Sequence, residues 1–205
     1  MSLASTQDRR QIKLEALLDA AEQRIQREGV AQLKARDLAA DIGVALGGLY
    51  NIVDDLDDLM LRVNSRTLNR LGQAAEAAAG PYALTNRGEA VARLSAVAEA
   101  YLTFARSNLY LWRMLFETHV RSDVPEWAIQ DQLRLFHHIA VPLAVILPDL
   151  DPDALTVRAR TLFAAVHGIV SIGLEDRLIA VPSEKLRDEI IWLVQSACCA
   201  PDRKT

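Results

Sequence analysis

The feature that most constrains this chain is the run from Leu33 to Met60, LKARDLAADIGVALGGLYNIVDDLDDLM. Within it, Leu38, Ala39 and Ile42 recur at helical spacing, and Gly43 follows as the residue best suited to the left-handed conformation that ends a helix. Val44 then supplies an apolar plug after the turn. Leu49 and Val53 lie one turn apart on a second short helix, expected over residues 45–53. Two short helices joined by a glycine-containing turn form a helix-turn-helix, a unit whose second helix can lie in a DNA major groove.

The flanking sequence extends this pattern into an all-α chain. A helix is expected over Ile12–Glu28, with Leu14, Leu17, Leu18, Ala21 and Ile25 inward and Gly29 at its end. Residues 1–10 are expected to form a disordered arm, carrying Arg9 and Arg10 within reach of a minor groove or of phosphates. Glu15, Asp19 and Glu22 share another face of that helix and read as a solvated surface. Asp54 and Asp55 offer N-caps for a long helix from Leu56 to Ala79, which Gly80-Pro81 terminates. Residues 80–87 read as a linker. Beyond it, apolar spacing predicts helices over Glu89–Ser107 and Leu109–Val120, and another from Glu126 that is bent or broken at Pro142. Two more run from Asp151-Pro152 to about Arg177 and from Pro182-Ser183 to about Cys198. No alternating strand run interrupts the helices.

The order of residues carries more information than the periodicity. The run Leu38-Ala39, Ile42-Gly43-Val44, Gly47, Leu49-Tyr50 and then Asp57-Asp58-Leu59 resembles the DNA-binding segment of the tetracycline-repressor-type (TetR/AcrR) regulators. Ala45, Val53 and Leu56 stand where that family commonly has Ser or Thr, Phe, and a phosphate-contacting Lys. Farther on, Leu162-Phe163-Ala164-Ala165-Val166-His167-Gly168 and the aromatic segment Leu109–Phe116 are similar to a subgroup with a Trp-His-Gly-type C-terminal domain. The resemblance implies an N-terminal three-helix helix-turn-helix domain over residues 1–54 and a connecting helix over 55–79. It further implies a helical ligand-binding and dimerisation bundle over 80–205. The implied function is a ligand-responsive, dimeric transcriptional regulator, in the usual case a repressor.

Specific residues follow from the chemistry each task needs. Gly47 and Gly48 let a backbone approach a groove, although each lowers helix propensity by about 1 kcal/mol. Asn51 can make a bidentate contact to adenine, and Ala45 and Leu46 can meet thymine methyls. Lys34 and Tyr50 are candidates for phosphate, with Arg36 either a phosphate contact or a surface charge. Phe104, Trp112, Phe116 and His167 are expected to line a mainly apolar cavity, with His167 or a nearby hydroxyl as its polar anchor. Ala164, Ala165 and Gly168 are small enough for a second helix to approach closely. Ile191 and Trp192 widen the apolar arc of the last helix beyond what one partner covers, so a homodimer built as a four-helix bundle is expected.

Charge argues for restraint on the DNA side. The net charge is −4. Residues 1–53 carry seven Lys/Arg against seven Asp/Glu, and four Asp follow within 54–58. A DNA reader usually displays a basic patch, so a helical sensor whose DNA-binding end has degenerated remains the alternative. Phosphate-cradling glycine loops, nucleophile elbows and HExxH are all missing, so no catalytic residue, cofactor or enzyme activity is expected. No metal site is expected either: His137 and His138 are adjacent and face different directions, and His119 and His167 stand alone. Cys198 and Cys199 are likewise neighbours, unsuited to a disulfide within the chain. The longest uninterrupted apolar run, Ile139–Leu147, is too short for a bilayer. A cytoplasmic protein with double-stranded DNA and a small apolar effector as partners, and no membrane, is the resulting expectation.

Overall fold

The computed structural model describes residues 3–117, 125–175 and 179–199, with side chains from Gln7 onward. Among these residues the chain is all helical, in the order α1 (Leu3–Glu28), a 3-10 turn (Val30–Gln32), α2 (Ala35–Asp41), α3 (Leu46–Leu49) and α4 (Leu56–Ala79). There follow α5 (Arg87–Ser107), α6 (Leu109–Glu117), α7 (Glu126–Ile146), α8 (Pro152–Gly173) and α9 (Leu186–Cys199). The expected end of α6 near Val120, with His119, and the expected end of α8 near Arg177 lie outside the described residues. The helices fall into two compact units, one of residues 1–68 with 108–128 and one of 69–107 with 129–205.

The first unit is built on an apolar cluster in which Leu17, Ala21, Ile25, Leu38, Leu49, Leu59 and Val63 are all withdrawn from solvent. Leu111 and Met114 of α6 complete that cluster, and the Tyr110 ring lies 3.5 Å from where a side chain on Gly29 would start. The aromatic segment therefore belongs to the head, whereas its place in the chain suggested the C-terminal part. Local periodicity identifies an apolar face without identifying what covers it. α1 also begins earlier than expected. Residues 3–11 hold no apolar stripe that would reveal a helix, yet they extend α1, and Arg10 donates to the Ile52 carbonyl at 3.4 Å.

Ion pairs tie this unit together from outside. Arg66 of α4 meets Glu15, Asp19 and Glu22 of α1, so the acidic face read as solvated is the seat of an arginine. Arg24 binds both oxygens of Asp41, at 2.5 and 2.9 Å, and its guanidinium holds that carboxyl below the usual range. The acidic run before α4 is a cap. Asp55 accepts the Asp58 N–H at 2.7 Å, and Asp58 accepts the Asp54 N–H at 3.2 Å.

In the second unit α9 packs against α5 and α8. A capping box opens α5, where Asn86 accepts the Glu89 N–H at 2.9 Å and Glu89 accepts the Thr85 N–H at 3.2 Å. Arg87 then donates to Ile146 O at 3.1 Å and Cys198 O at 2.5 Å, placing one cation on the negative ends of α7 and α9. Pro142 is buried within α7, which runs as one helix. Asp151 caps α8 by accepting the Ala154 N–H at 2.8 Å, with Pro152 behind it.

The last residue of α8 fixes the approach of α9. A Cβ on Gly173 would lie 2.9 Å from Leu186 Cδ1 and 3.1 Å from Cγ, and Leu186 is fully buried. Gly72, inside α4, has nothing within 4 Å of the same position. Gly173→Ala should therefore lower unfolding stability by about 1–2 kcal/mol through overpacking. Gly72→Ala should raise it by about 0.5–1 kcal/mol through helix propensity. Denaturant titration of the two variants checks both signs.

Candidate DNA-reading head and apolar cleft

The turn between α2 and α3 closes as its sequence requires. Gly43 sits at φ 68°, a left-handed position. The Val44 N–H bonds Ala39 O at 2.9 Å and the Gly43 N–H bonds Ala40 O at 3.1 Å, which satisfies carbonyls left open at the end of α2. Leu49 anchors α3 in the core, and Ile52 and Val53 continue inward through bonds to Leu49 O at 2.9 and 3.2 Å. With that side held, Ala45, Leu46, Gly47, Tyr50 and Asn51 face solvent, Leu46 at 40% and Tyr50 at 47% exposure.

The two glycines are not equivalent. Nothing lies within 4 Å of a Cβ built on Gly47, which leaves its backbone open to an incoming surface. At Gly48 the same atom would sit 3.3 Å from Val44 Cβ, so that glycine serves the packing of the turn. Lys34 precedes α2 and Arg36 lies in its first turn, both exposed, and no ion pair among the described residues engages either. Leu56, where a phosphate-contacting Lys was the family expectation, packs partly buried against the head's core.

The ligand candidates from sequence do not come together as one lining. Trp112 and Phe116 stack edge to face at 5.6 Å in the first unit, with Trp112 buried and Phe116 exposed. Phe104 and His167 belong to the second. There an apolar cleft opens among α4, α5, α7, α8 and α9, lined by Leu71, Leu94, Tyr101, Ile139, Phe163 and Val194 among others. None of the four candidates lines it. His167 reaches its edge indirectly, with Nδ1 2.8 Å from the Tyr101 hydroxyl and its ring stacked on Phe163 at 5.7 Å and 19°. Burial lowers the His167 pKa below the ordinary histidine value. The Tyr101–His167 pair is 66 residues apart in sequence, and no local pattern could have joined it.

A third surface is apolar and uncovered. On α8, Val157 is 62% exposed, Ala164 and Ala165 are exposed, and Ile172 is 42% exposed. On α9, Leu186, Ile190, Val194 and Cys198 face inward while Trp192 is 63% exposed and Ile191 half-buried. Gly168 is half-buried with open space at its Cβ position. By length and composition α8 could cross a membrane, although it carries Arg158 and Arg160. No group of three or more His, Cys, Asp or Glu among the described residues is placed to hold an ion. Burial pushes the Cys198 thiol up to about 11, which keeps it protonated.

Comparison with known proteins agrees with this architecture. No curated protein matches the chain. Among solved structures, a protein of unknown function from Rhodococcus sp. RHA1 superimposes with TM-score 0.70 at 23% identity, covering 91% of each chain. A TetR transcriptional regulator from the same organism gives TM-score 0.66 at 17% identity, covering 94% of this chain and 97% of that one. A TetR-family regulator from Streptomyces coelicolor gives 0.62 at 16%, covering 90% and 99%. These likenesses establish a shared fold. Residues 94–194 match the family described as tetracyclin repressor-like, C-terminal domain. The chain therefore carries a tetracyclin repressor-like C-terminal domain over residues 94–194, joined to a helix-turn-helix, in a fold shared with TetR-type regulators.

Proposed function

We propose that this protein is a non-enzymatic, cytoplasmic, homodimeric repressor that reads a pseudo-palindromic DNA operator and leaves it when a mainly apolar small molecule binds. The observation that carries the DNA reading is the exposed start of α3. There Gly47 leaves the backbone open, Leu46, Tyr50 and Asn51 surround it, and among the described residues no carboxylate pairs with Lys34 or Arg36. Those cations suit phosphate, and Asn51 suits an adenine edge. The apolar cleft supports the effector role, because a concave site with a mainly hydrocarbon lining suits a small apolar molecule.

A dimer is supported by the uncovered faces of α8 and α9. Val157 and Ile172 on α8 and Trp192 on α9 are large apolar side chains left exposed on these two helices. A second copy laid on the same face would cover them with two-fold symmetry, and small Ala164, Ala165 and Gly168 allow close helix approach. Such a dimer presents two α3 segments to half-sites about one helical turn, or a multiple, apart. The alternative is a helical sensor with a degenerate head. Leu56 is the observation that favours it, since it takes the place of a phosphate-binding Lys in the resembled family.

Two variants separate the readings. On a selected operator, Asn51→Ala should relax preference at one base pair at a cost of about 1–3 kcal/mol, and Tyr50→Phe should weaken all sequences alike. Equal losses on operator and random DNA for Asn51→Ala would remove it from base reading. Ala164→Arg, at an exposed position, should yield folded monomer in sedimentation; a variant that stays dimeric places the interface elsewhere.

A further inference from the structure

The chemistry of the cleft says more about its occupant than that it is apolar. Among the described residues that line it, Tyr101 is the only one whose side chain carries a polar atom. It lies on α5, 7% exposed, and its ring is fixed edge-on against Phe163 at 5.8 Å and 74°. Its hydroxyl lies 2.8 Å from His167 Nδ1. Among the described residues no lysine or arginine lines the cleft, and burial of His167 disfavours its charged form. A carboxylate or phosphate entering here would lose its water without gaining a counterion, which is unfavourable. A pure hydrocarbon would fit the walls but would gain nothing from the hydroxyl. A phenol can donate or accept, and imidazole can take either tautomer. With Nδ1–H donating to the phenol oxygen, the phenol O–H can donate to a ligand carbonyl. With the phenol donating to Nδ1, its oxygen can accept from a ligand hydroxyl.

We propose that the cleft selects an uncharged, mainly hydrocarbon molecule bearing a hydrogen-bonding oxygen, such as a ketone, lactone or alcohol, through the Tyr101 hydroxyl, with His167 as its positioning residue. This rests on the reading of the cleft as the effector site. Two separations in the data test the two levels. The full-length protein is loaded with N-phenyl-1-naphthylamine, an uncharged fluorescent probe, and challenged at pH 8 with butyrophenone, butylbenzene and 4-phenylbutanoate. The three share a phenyl ring and chain and differ in bearing a ketone, no polar group, or a carboxylate.

Butyrophenone should displace the probe at a concentration at least about tenfold lower than 4-phenylbutanoate, since only the anion must be desolvated without a partner. Tyr101→Phe should raise the butyrophenone concentration needed by about fivefold to tenfold while leaving butylbenzene within about twofold, the loss of one hydrogen bond. His167→Leu should reduce the same ketone-to-hydrocarbon ratio, and His167→Gln, which can still hydrogen-bond, should restore part of it. A purely structural role for either residue would move ketone and hydrocarbon together. Equal competition by the anion and the ketone, or parallel losses of both neutral compounds in Tyr101→Phe, overturns the proposal while leaving the cleft as a binding site. Failure of the probe to bind, or binding that survives Ala98→Trp in a variant of unchanged helical circular dichroism, overturns the cleft reading itself.

Discussion

The head of this protein depends on the burial of Leu49. α3 spans only Leu46–Leu49 and contains two glycines, so it cannot persist as an isolated helix. Its glycines cost together about 2 kcal/mol relative to alanine. Complete withdrawal of Leu49 from water is worth about 1.5–3 kcal/mol, and Ile52 and Val53 add to it as the chain continues. The segment is therefore held from one side by a core contributed by α1, α2, α4 and α6. That arrangement explains why the opposite side can be small and open. An exposed surface with a bare backbone at Gly47 is stable only because the rest of the unit supplies what α3 lacks.

The same unit resolves the conflict between an acidic chain and an anionic partner. Its carboxylates are largely committed to local work: Asp41 and Asp37 to Arg24, three acids of α1 to Arg66, and Asp55 with Asp58 to the start of α4. Exposed pairs of this kind contribute little to stability, typically about 0–1 kcal/mol each. Their larger effect is to neutralise acids close to the helix starts. Screening over about 10 Å at 0.1 M salt then leaves Lys34 and Arg36 to set the local field. Net charge is a poor guide to a surface this small.

The sequence revealed what depends on near neighbours. The Gly43-Val44 turn and the limits of α4 followed from capping chemistry and apolar spacing, and α8 began where Asp151-Pro152 placed it. It missed what depends on distant partners. α6 showed an aromatic face, but only the fold reveals that Leu111 and Met114 fill the head. Glu15, Asp19 and Glu22 were legible as one face, whereas Arg66 lies 44 or more residues further along the chain. His167 stood out as a polar group on an apolar helix, yet the side chain that meets the cleft is Tyr101. The helical start of α1 left no trace, because residues 3–11 carry polar groups that suit an exposed helix and an unstructured arm alike.

The central claim is that this head still reads DNA despite Leu56 and the acidic run beside it. Mobility shift of the purified protein on the DNA preceding its own gene, in competition with a scrambled duplex of equal composition, tests this most directly. The account predicts a discrete complex that resists a large excess of scrambled competitor, with salt dependence shallower than that of a strongly basic binder. Retention of neither duplex, or identical competition by both, would contradict it and leave a helical sensor with a non-functional head.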